Sequence, residues 1–90
     1  MKVCILDGKL LDSGKALHRA VSEALDFPDW YGENLDALYD CLTDSQEETE
    51  ILIVHKQKLE EHLGNYVSAL TKMLSQAEKE NPRFRWRMED

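Results

Sequence analysis

The chain has 90 residues, of which 42% are hydrophobic and 32% charged, and its formal net charge at neutral pH is −7. This length and balance predict one globular domain over residues 1–90 rather than a disordered chain. The excess of acidic residues disfavours direct binding of nucleic acid, because phosphates attract basic groups. No apolar run approaches the ~20 residues that span a bilayer, and the start of the chain does not resemble a secretory signal. We therefore expect a cytoplasmic protein that does not contact a membrane.

The first part of the chain predicts a strand followed by a helix. Val3–Leu6 is a short apolar run that ends at the turn signal Asp7–Gly8, which is typical of a strand. Asp12 or Ser13 can cap a helix, and Pro28 stops it. Apolar residues recur at helical spacing and predict its buried face: Ala16, Leu17, Ala20, Val21, Ala24 and Leu25.

A loop and an acidic amphipathic helix come next. The loop Phe27–Gly32 is rich in aromatic residues, and Asn34 is a good cap for a helix that runs to about Leu42 or Thr43. One face of this helix carries leucines that must pack on a core, and the opposite face carries acids. The leucines are Leu35, Leu38 and Leu42, and the acids are Glu33, Asp36, Asp40 and Asp44.

The second half of the chain predicts two strands and two helices. Thr49–Val54 ends in four branched apolar residues, which indicates a central strand covered on both faces. His55–Leu63 is predicted as a short helix and Asn65–Glu80 as a longer amphipathic one. Arg83–Met88 alternates between arginines and large apolar residues, as an edge strand does. The order of elements predicts an α/β fold, with a small three-stranded parallel sheet and about four helices packed against it.

The two cysteines are predicted to have no chemical role. Cys4 lies in an apolar run and Cys41 in a helical pattern, and there is no CxxC motif. Both are therefore expected to be reduced, small and buried side chains.

The acids are distributed unevenly along the chain. Nine of the 18 acidic residues lie between Asp26 and Glu50, a window that contains no lysine or arginine. A solvated face that aids solubility is the simpler interpretation of such a run. Trp30, Tyr31 and Tyr39 lie within the same window, however, and aromatic residues are typical anchors of binding surfaces. A concentrated field of this kind attracts a basic partner and accelerates its association.

Catalytic and RNA-binding interpretations are less favoured. Asp36 and Asp40, one helical turn apart, could hold a metal in a hydrolase, but no nucleophile or further ligand accompanies them. The histidines lie elsewhere, each alone at a polar position: His18, His55 and His62. The arginines of Arg83–Met88 fit a charged sheet edge better than an RNA-binding strip. We predict no catalytic residue, no metal site and no cofactor.

The acidic window resembles the signature of a known family. Leu25–Thr43 (LDFPDWYGENLDALYDCLT) contains a Pro-x-aromatic-Tyr-Gly-x-Asn-Leu-Asp-Ala-Leu-aromatic-Asp-Cys-Leu core similar to that of the barstar family, intracellular inhibitors of the secreted ribonuclease barnase. Outside this stretch the similarity is one of element order and length. The resemblance implies the same fold, a three-stranded parallel sheet with helices against it.

The resemblance also implies where a partner would bind. Asp40 would be the central carboxylate that mimics a substrate phosphate, Asp36 would pair with further basic groups, and Trp30 would stack where relatives often have tyrosine. Tyr39 matches a position that is usually tryptophan, and Gln76 aligns with a family glutamate. Glu47, Glu48 and Glu50 would add a long-range field only. The predicted partner-binding residues are Trp30, Asn34, Asp36, Tyr39, Asp40, Thr43, Asp44 and Gln76.

The function implied is stoichiometric inhibition of a basic, barnase-like ribonuclease, as an immunity protein of the producing cell. The acidic helix and the aromatic loop would plug the nuclease active site without chemistry, and the free inhibitor would be a monomer. The alternatives are a barstar-like module for a different basic partner or toxin and, less favoured, a metal-dependent hydrolase that uses Asp36 and Asp40.

Overall fold

The computed structural model describes residues 1–90 as three strands and four α-helices. In chain order they are β1 (Lys2–Asp7), α1 (Gly14–Leu25), α2 (Leu35–Asp44), β2 (Thr49–Val54), α3 (Lys56–Leu63), α4 (Tyr66–Glu80) and β3 (Phe84–Met88). The strands form one parallel sheet in the order β1-β2-β3. The predicted α/β fold, the three-stranded parallel sheet, the four helices and the central position of β2 are confirmed.

Short polar caps fix where the first two helices begin. The Ser13 side chain accepts a hydrogen bond of 3.1 Å from the backbone N–H of Ala16, so Ser13 rather than Asp12 caps α1. The Asn34 side chain caps α2 in the same way, through a 2.8 Å bond from the N–H of Ala37. These bonds satisfy backbone donors that have no partner within the helix. The start of α2 is therefore set by a residue that lies next to the acidic face.

The sheet is covered on one face only, which corrects the prediction that β2 is covered on both. Ile51 and Ile53 are fully buried, whereas Leu52 is half-buried and Ile5 beside it on β1 is 60% exposed. The strand order runs through the sheet without reversal, and right-handed crossovers then place every connecting helix on the same side. The short apolar run in β2 gave no sign of this, because periodicity does not reveal how many faces are covered.

One hydrophobic core lies between the covered face of the sheet and the helices. It includes the leucines of α1 and α2, and α4 contributes Leu70, Leu74 and Ala77. Four positions predicted to lie on buried faces are nearer the surface, since Ala16, Ala20 and Leu35 are half-buried and Ala24 is exposed. None of the four helices is long and apolar enough to cross a membrane.

Buried Asn81 ties the end of α2 to the region between α4 and β3. Its amide nitrogen donates to the backbone oxygens of Leu42, at 2.8 Å, and of Ser45, at 3.2 Å. These oxygens belong to the last turn of α2 and its C-cap, where carbonyls have no helical partner. The C-terminal end of the acidic helix is thereby fixed to the rest of the fold, whereas the Asn34 cap orders its N-terminal end locally.

Candidate functional site

Helix α2 holds a row of exposed carboxylates on a rigid base. Leu38 and Leu42 are fully buried, and the opposite face presents Asp36, Asp40 and Asp44 to solvent. None of these three aspartates forms an ion pair within the chain. Asp36 lies in the first turn, where the helix dipole favours a negative charge. The acidic face is therefore oriented by buried leucines and is free to meet charges from outside.

Two adjacent aromatic residues of the loop Phe27–Gly32 differ sharply in burial. Trp30 is 81% exposed, the most exposed large apolar side chain of the chain. Tyr31 is only 8% exposed and packs in the core, with its ring 5.0 Å from that of Phe27. Because so little of the Trp30 ring is buried within the chain, the ring is available for an intermolecular contact.

Trp30 and the carboxylates meet at a cleft, which we call the Trp30 cleft. It is lined by Trp30, Gly32, Ala37, Asp40, Cys41 and Asp44. The lining residues combine one indole, three small residues and two carboxylates, and none of them is basic. A second groove is lined by Trp30, Cys41 and Asp44 together with other residues of the loop, α2 and the sheet. These are Lys2, Leu25, Phe27, Pro28, Leu42, Ser45 and Thr49. Both grooves share Trp30, Cys41 and Asp44.

Cys41 departs from the prediction of a buried cysteine. It is half-exposed and lines both grooves, because it lies at the border between the leucine face and the acidic face of α2. Burial and the nearby charges of Asp40 and Asp44 raise the pKa of its thiol. Cys41 therefore contributes a small, neutral thiol to both grooves, whereas Cys4 is buried as predicted.

Three other predicted site residues on or next to α2 have structural duties. Asn34 is exposed, but its side chain caps the helix and also donates to the oxygen of Gly32. The hydroxyl of Thr43 donates to the backbone oxygen of Tyr39 at 2.9 Å. Tyr39 itself is half-buried and packs against the core. These residues position the acidic face, and part of each remains accessible to a partner.

Gln76 lies apart from the Trp30 cleft. It is exposed on α4, and its amide nitrogen donates to a carboxylate oxygen of Glu80 at 3.3 Å. It borders a groove formed with Lys72, Lys79 and Trp86, among others, and not the one that contains Asp40. The structure thus brings Trp30, Asp40 and Asp44 together and leaves Gln76 on a neighbouring helix.

Part of the acidic window is neutralised locally. Glu50 pairs with Arg87 at 3.2 Å and Glu48 with Arg85 at 3.7 Å, across the β2–β3 edge of the sheet. Two of the three acids predicted to act only through a long-range field therefore have partners within the chain. These exposed pairs contribute little to stability. The uncompensated part of the window is centred on α2 and its preceding loop.

The structure shows no group of three or more His, Cys, Asp or Glu residues placed to hold a metal ion. Asp36 and Asp40 stand on an exposed helix face and lack a third ligand. Carboxylates in this position are suited to meeting a charged surface rather than to holding a reactant in a pocket.

His18 is a residue whose position the sequence did not reveal. It is 1% exposed, and its two ring nitrogens bond the hydroxyls of Tyr31, at 2.5 Å, and Tyr66, at 2.6 Å. Burial lowers the pKa of the imidazole, and the charge of Glu33 opposes this effect. The signal that could have found it is its spacing from Val21 and Leu25, which puts His18 on the buried face of α1.

Comparisons with known proteins agree with these features. The sequence matches the family described as Barstar (barnase inhibitor) over residues 1–89. It is also 35% identical over 81 residues to the "Putative ribonuclease inhibitor YrdF" of Bacillus subtilis (strain 168), an alignment that covers 89% of each chain. The family match extends far beyond Leu25–Thr43 and includes every helix and strand. The chain therefore belongs to the barstar family.

Proposed function

We propose that this chain is a stoichiometric inhibitor of a basic, secreted, barnase-like microbial ribonuclease. The observation that carries the proposal is the Trp30 cleft, where an exposed indole stands beside the unpaired carboxylates of Asp40 and Asp44. Membership of the barstar family and the printed name of the Bacillus subtilis relative support the same role. The acidic face of α2 and the aromatic loop would cover the nuclease active site.

The proposed mechanism is mimicry of the substrate by charge and shape. An active site that cleaves RNA holds phosphates with arginine, lysine or protonated histidine, and a carboxylate can take the place of a phosphate oxygen. Asp40 would be the central carboxylate and Asp36 would meet further basic groups at the rim. Trp30 would supply the apolar contact that a base makes with the enzyme. The helix is fixed at both ends, so little conformational entropy is lost on binding.

The inhibitor would act without chemistry of its own. We place it in the cytoplasm of the cell that produces the nuclease, as a monomer until it meets its partner. The remaining uncompensated acids, Asp26, Asp29, Glu33 and Glu47, would add to the attraction at a distance.

Titration of ribonuclease activity tests the proposal. Barnase and related small basic ribonucleases are each titrated with the inhibitor, and cleavage of a fluorogenic RNA substrate is followed. The proposal predicts a linear loss of activity that ends at one inhibitor per nuclease for at least one enzyme. Activity that persists at a large excess of inhibitor for every enzyme in the panel would contradict it.

A different basic partner is the second candidate. Gln76 carries no charge where the resemblance places a family glutamate, and Tyr39 stands where the family usually has tryptophan. Both differences alter the outer part of the surface rather than the Trp30 cleft. Binding of a basic protein or toxin at this cleft in low salt, without inhibition of any ribonuclease, would favour this candidate.

A further inference from the structure

One imidazole links the partner-binding loop to the two helices behind it. His18 lies on α1, Tyr31 follows Trp30 in the loop, and Tyr66 is the first residue of α4. Both ring nitrogens of His18 are engaged, at 2.5 Å and 2.6 Å, by the two tyrosine hydroxyls. Both rings also lie against the imidazole, at centroid distances of 5.8 Å and 6.1 Å. The chain of bonds runs from α4 through α1 to the loop.

The loop needs such an anchor because its backbone is unfavourable at both ends. Asp26 and Glu33 have positive φ values of 58° and 53°, in the left-handed region that non-glycine residues seldom adopt. Conformations of this kind persist only where surrounding contacts impose them. Pro28, Asp29 and Trp30 between these ends are exposed, so the side chains that hold the loop against the core are Phe27 and Tyr31. Backbone bonds from the N–H of Phe27 to Ser22 and from the N–H of Tyr31 to Pro28 support the same turn.

The protonation state of His18 determines which hydrogen bonds the imidazole can make with the two tyrosines. A neutral imidazole donates through one nitrogen and accepts at the other, so one tyrosine hydroxyl donates and the other accepts. An imidazolium donates through both nitrogens, so the hydroxyl that had been the donor must turn and accept instead, and its hydrogen is left without an acceptor in the core. The imidazolium also places a charge in the core, and hydration of that charge requires part of the structure to open. Because α1 and α4 are held by many buried side chains, the loop is the element that can open most easily.

We infer that His18 is a positioning residue for partner binding: in its neutral form it fixes Tyr31 and thereby the loop that presents Trp30, and its protonation releases that loop. The inference rests on the proposed function, since Trp30 is taken as a contact residue. The titratable and charged groups around these bonds come from three helices and the loop. They are Tyr31, Asp29 and Glu33 from the loop, Tyr66 from α4, Cys41 of α2 next to Tyr31, and Arg19 and Glu23 on α1 itself. Both tyrosines are phenols that stay protonated between about pH 5 and about pH 8, and burial raises the pKa of each further, so His18 is the group that changes in this range.

The first test measures the loop without any partner. In a Trp86→Phe background Trp30 is the sole tryptophan, and its time-resolved fluorescence anisotropy reports local motion of the loop. We expect the amplitude of the fast component to rise between about pH 8 and about pH 5, the range in which histidine titrates. Tyr31→Phe should show the high amplitude at every pH. Tyr66→Phe, which removes the bond to α4 and keeps the one to the loop, is the matched control and should resemble the parent at high pH.

The second test measures the dissociation constant for barnase over the same pH range. We expect affinity to fall about tenfold more for the wild type than for His18→Gln, a change equal to the loss of one hydrogen bond. The nuclease has titrating groups of its own, but these affect both inhibitors equally and cancel in the comparison. Tyr31→Phe, which removes a single oxygen, gives the same information if His18→Gln does not fold.

The outcomes separate the two proposals. Trp30 motion that titrates, with pH profiles that differ between wild type and His18→Gln, supports the inference. Trp30 motion that is independent of pH and unchanged by Tyr31→Phe overturns it. Trp30 motion that titrates in a protein that inhibits no ribonuclease would support the anchoring of the loop by His18 and contradict the proposed function.

Discussion

Trp30 and Tyr31 are consecutive residues of one loop, yet 81% of Trp30 is exposed and only 8% of Tyr31. The buried ring is anchored by His18 and Phe27, and the exposed ring stands beside Asp40 and Asp44. The loop therefore has an inner residue that holds its shape and an outer residue that is available to a partner. This division allows folding and binding to be tested separately.

Substitutions at these two positions should affect different quantities, affinity at Trp30 and stability at Tyr31. Trp30→Ala removes an exposed ring, so the free energy of unfolding should change by less than about 0.5 kcal/mol. Affinity for the nuclease should fall by about 2 kcal/mol or more, as expected for an aromatic anchor. Tyr31→Ala should instead lower the free energy of unfolding by about 3 kcal/mol, because it leaves a cavity in the core.

Urea unfolding and calorimetric titration measure the two quantities for each variant. Trp30→Phe is the matched control, since it keeps an apolar ring and should recover part of the affinity. Loss of stability in Trp30→Ala, or full affinity in that variant, would show that the exposed ring is not a binding anchor.

Asp44 should act mainly on the rate of association. It is exposed and unpaired in the last turn of α2, and exposed charges of this kind steer a basic partner more than they hold it. Asp44→Ala should slow association several-fold at about 0.02 M salt and have little effect at about 0.5 M salt, where screening is strong. Stopped-flow measurement at both salt concentrations checks this expectation. A faster dissociation at high salt would show instead that Asp44 makes a direct contact.

Stability should depend on pH through His18. Burial lowers the pKa of the folded imidazole below the ordinary value of 6.5, so the unfolded chain binds a proton more readily than the folded one. The stability that the neutral His18 contributes to the folded protein is fully present above about pH 6.5. It is lost as the pH falls through the folded pKa, and the free energy of unfolding then decreases by at most about 1.4 kcal/mol per pH unit. Urea unfolding of the wild type and of His18→Gln between about pH 8 and about pH 5 gives this contribution as a difference. Parallel profiles for the two proteins would show that His18 does not contribute.

Most of the fold could be predicted because the signals are local. Asn34 and the spacing of Leu38 and Leu42 define α2 within a few residues, and the alternation in Arg83–Met88 defines an edge strand. The single covered face of the sheet could not be predicted in this way, since it depends on the handedness of connections between distant strands. The pairing of Glu48 and Glu50 with arginines of β3 depends on the same register.

The candidate site, too, could be predicted from the sequence only in part. The acidic face of α2 follows from periodicity, but neighbouring aromatics in a loop give no indication of which ring is buried. His18 looked like an isolated polar residue because its two partners, Tyr31 and Tyr66, are 13 and 48 residues away in the sequence. Cys41 looked buried because its helical pattern does not show that Trp30 leaves a groove open beside it.

The most direct measurement is the affinity of Asp40→Ala for the ribonuclease that the wild type inhibits, compared with Glu60→Ala. Both variants lose one exposed carboxylate, but Asp40 borders the Trp30 cleft and Glu60 lies on α3. Removal of Asp40 should leave buried cations of the nuclease unpaired and weaken binding by about 2–5 kcal/mol. Glu60→Ala should change affinity by less than about 0.5 kcal/mol. Equal affinities for the two variants would contradict substrate mimicry by the acidic helix.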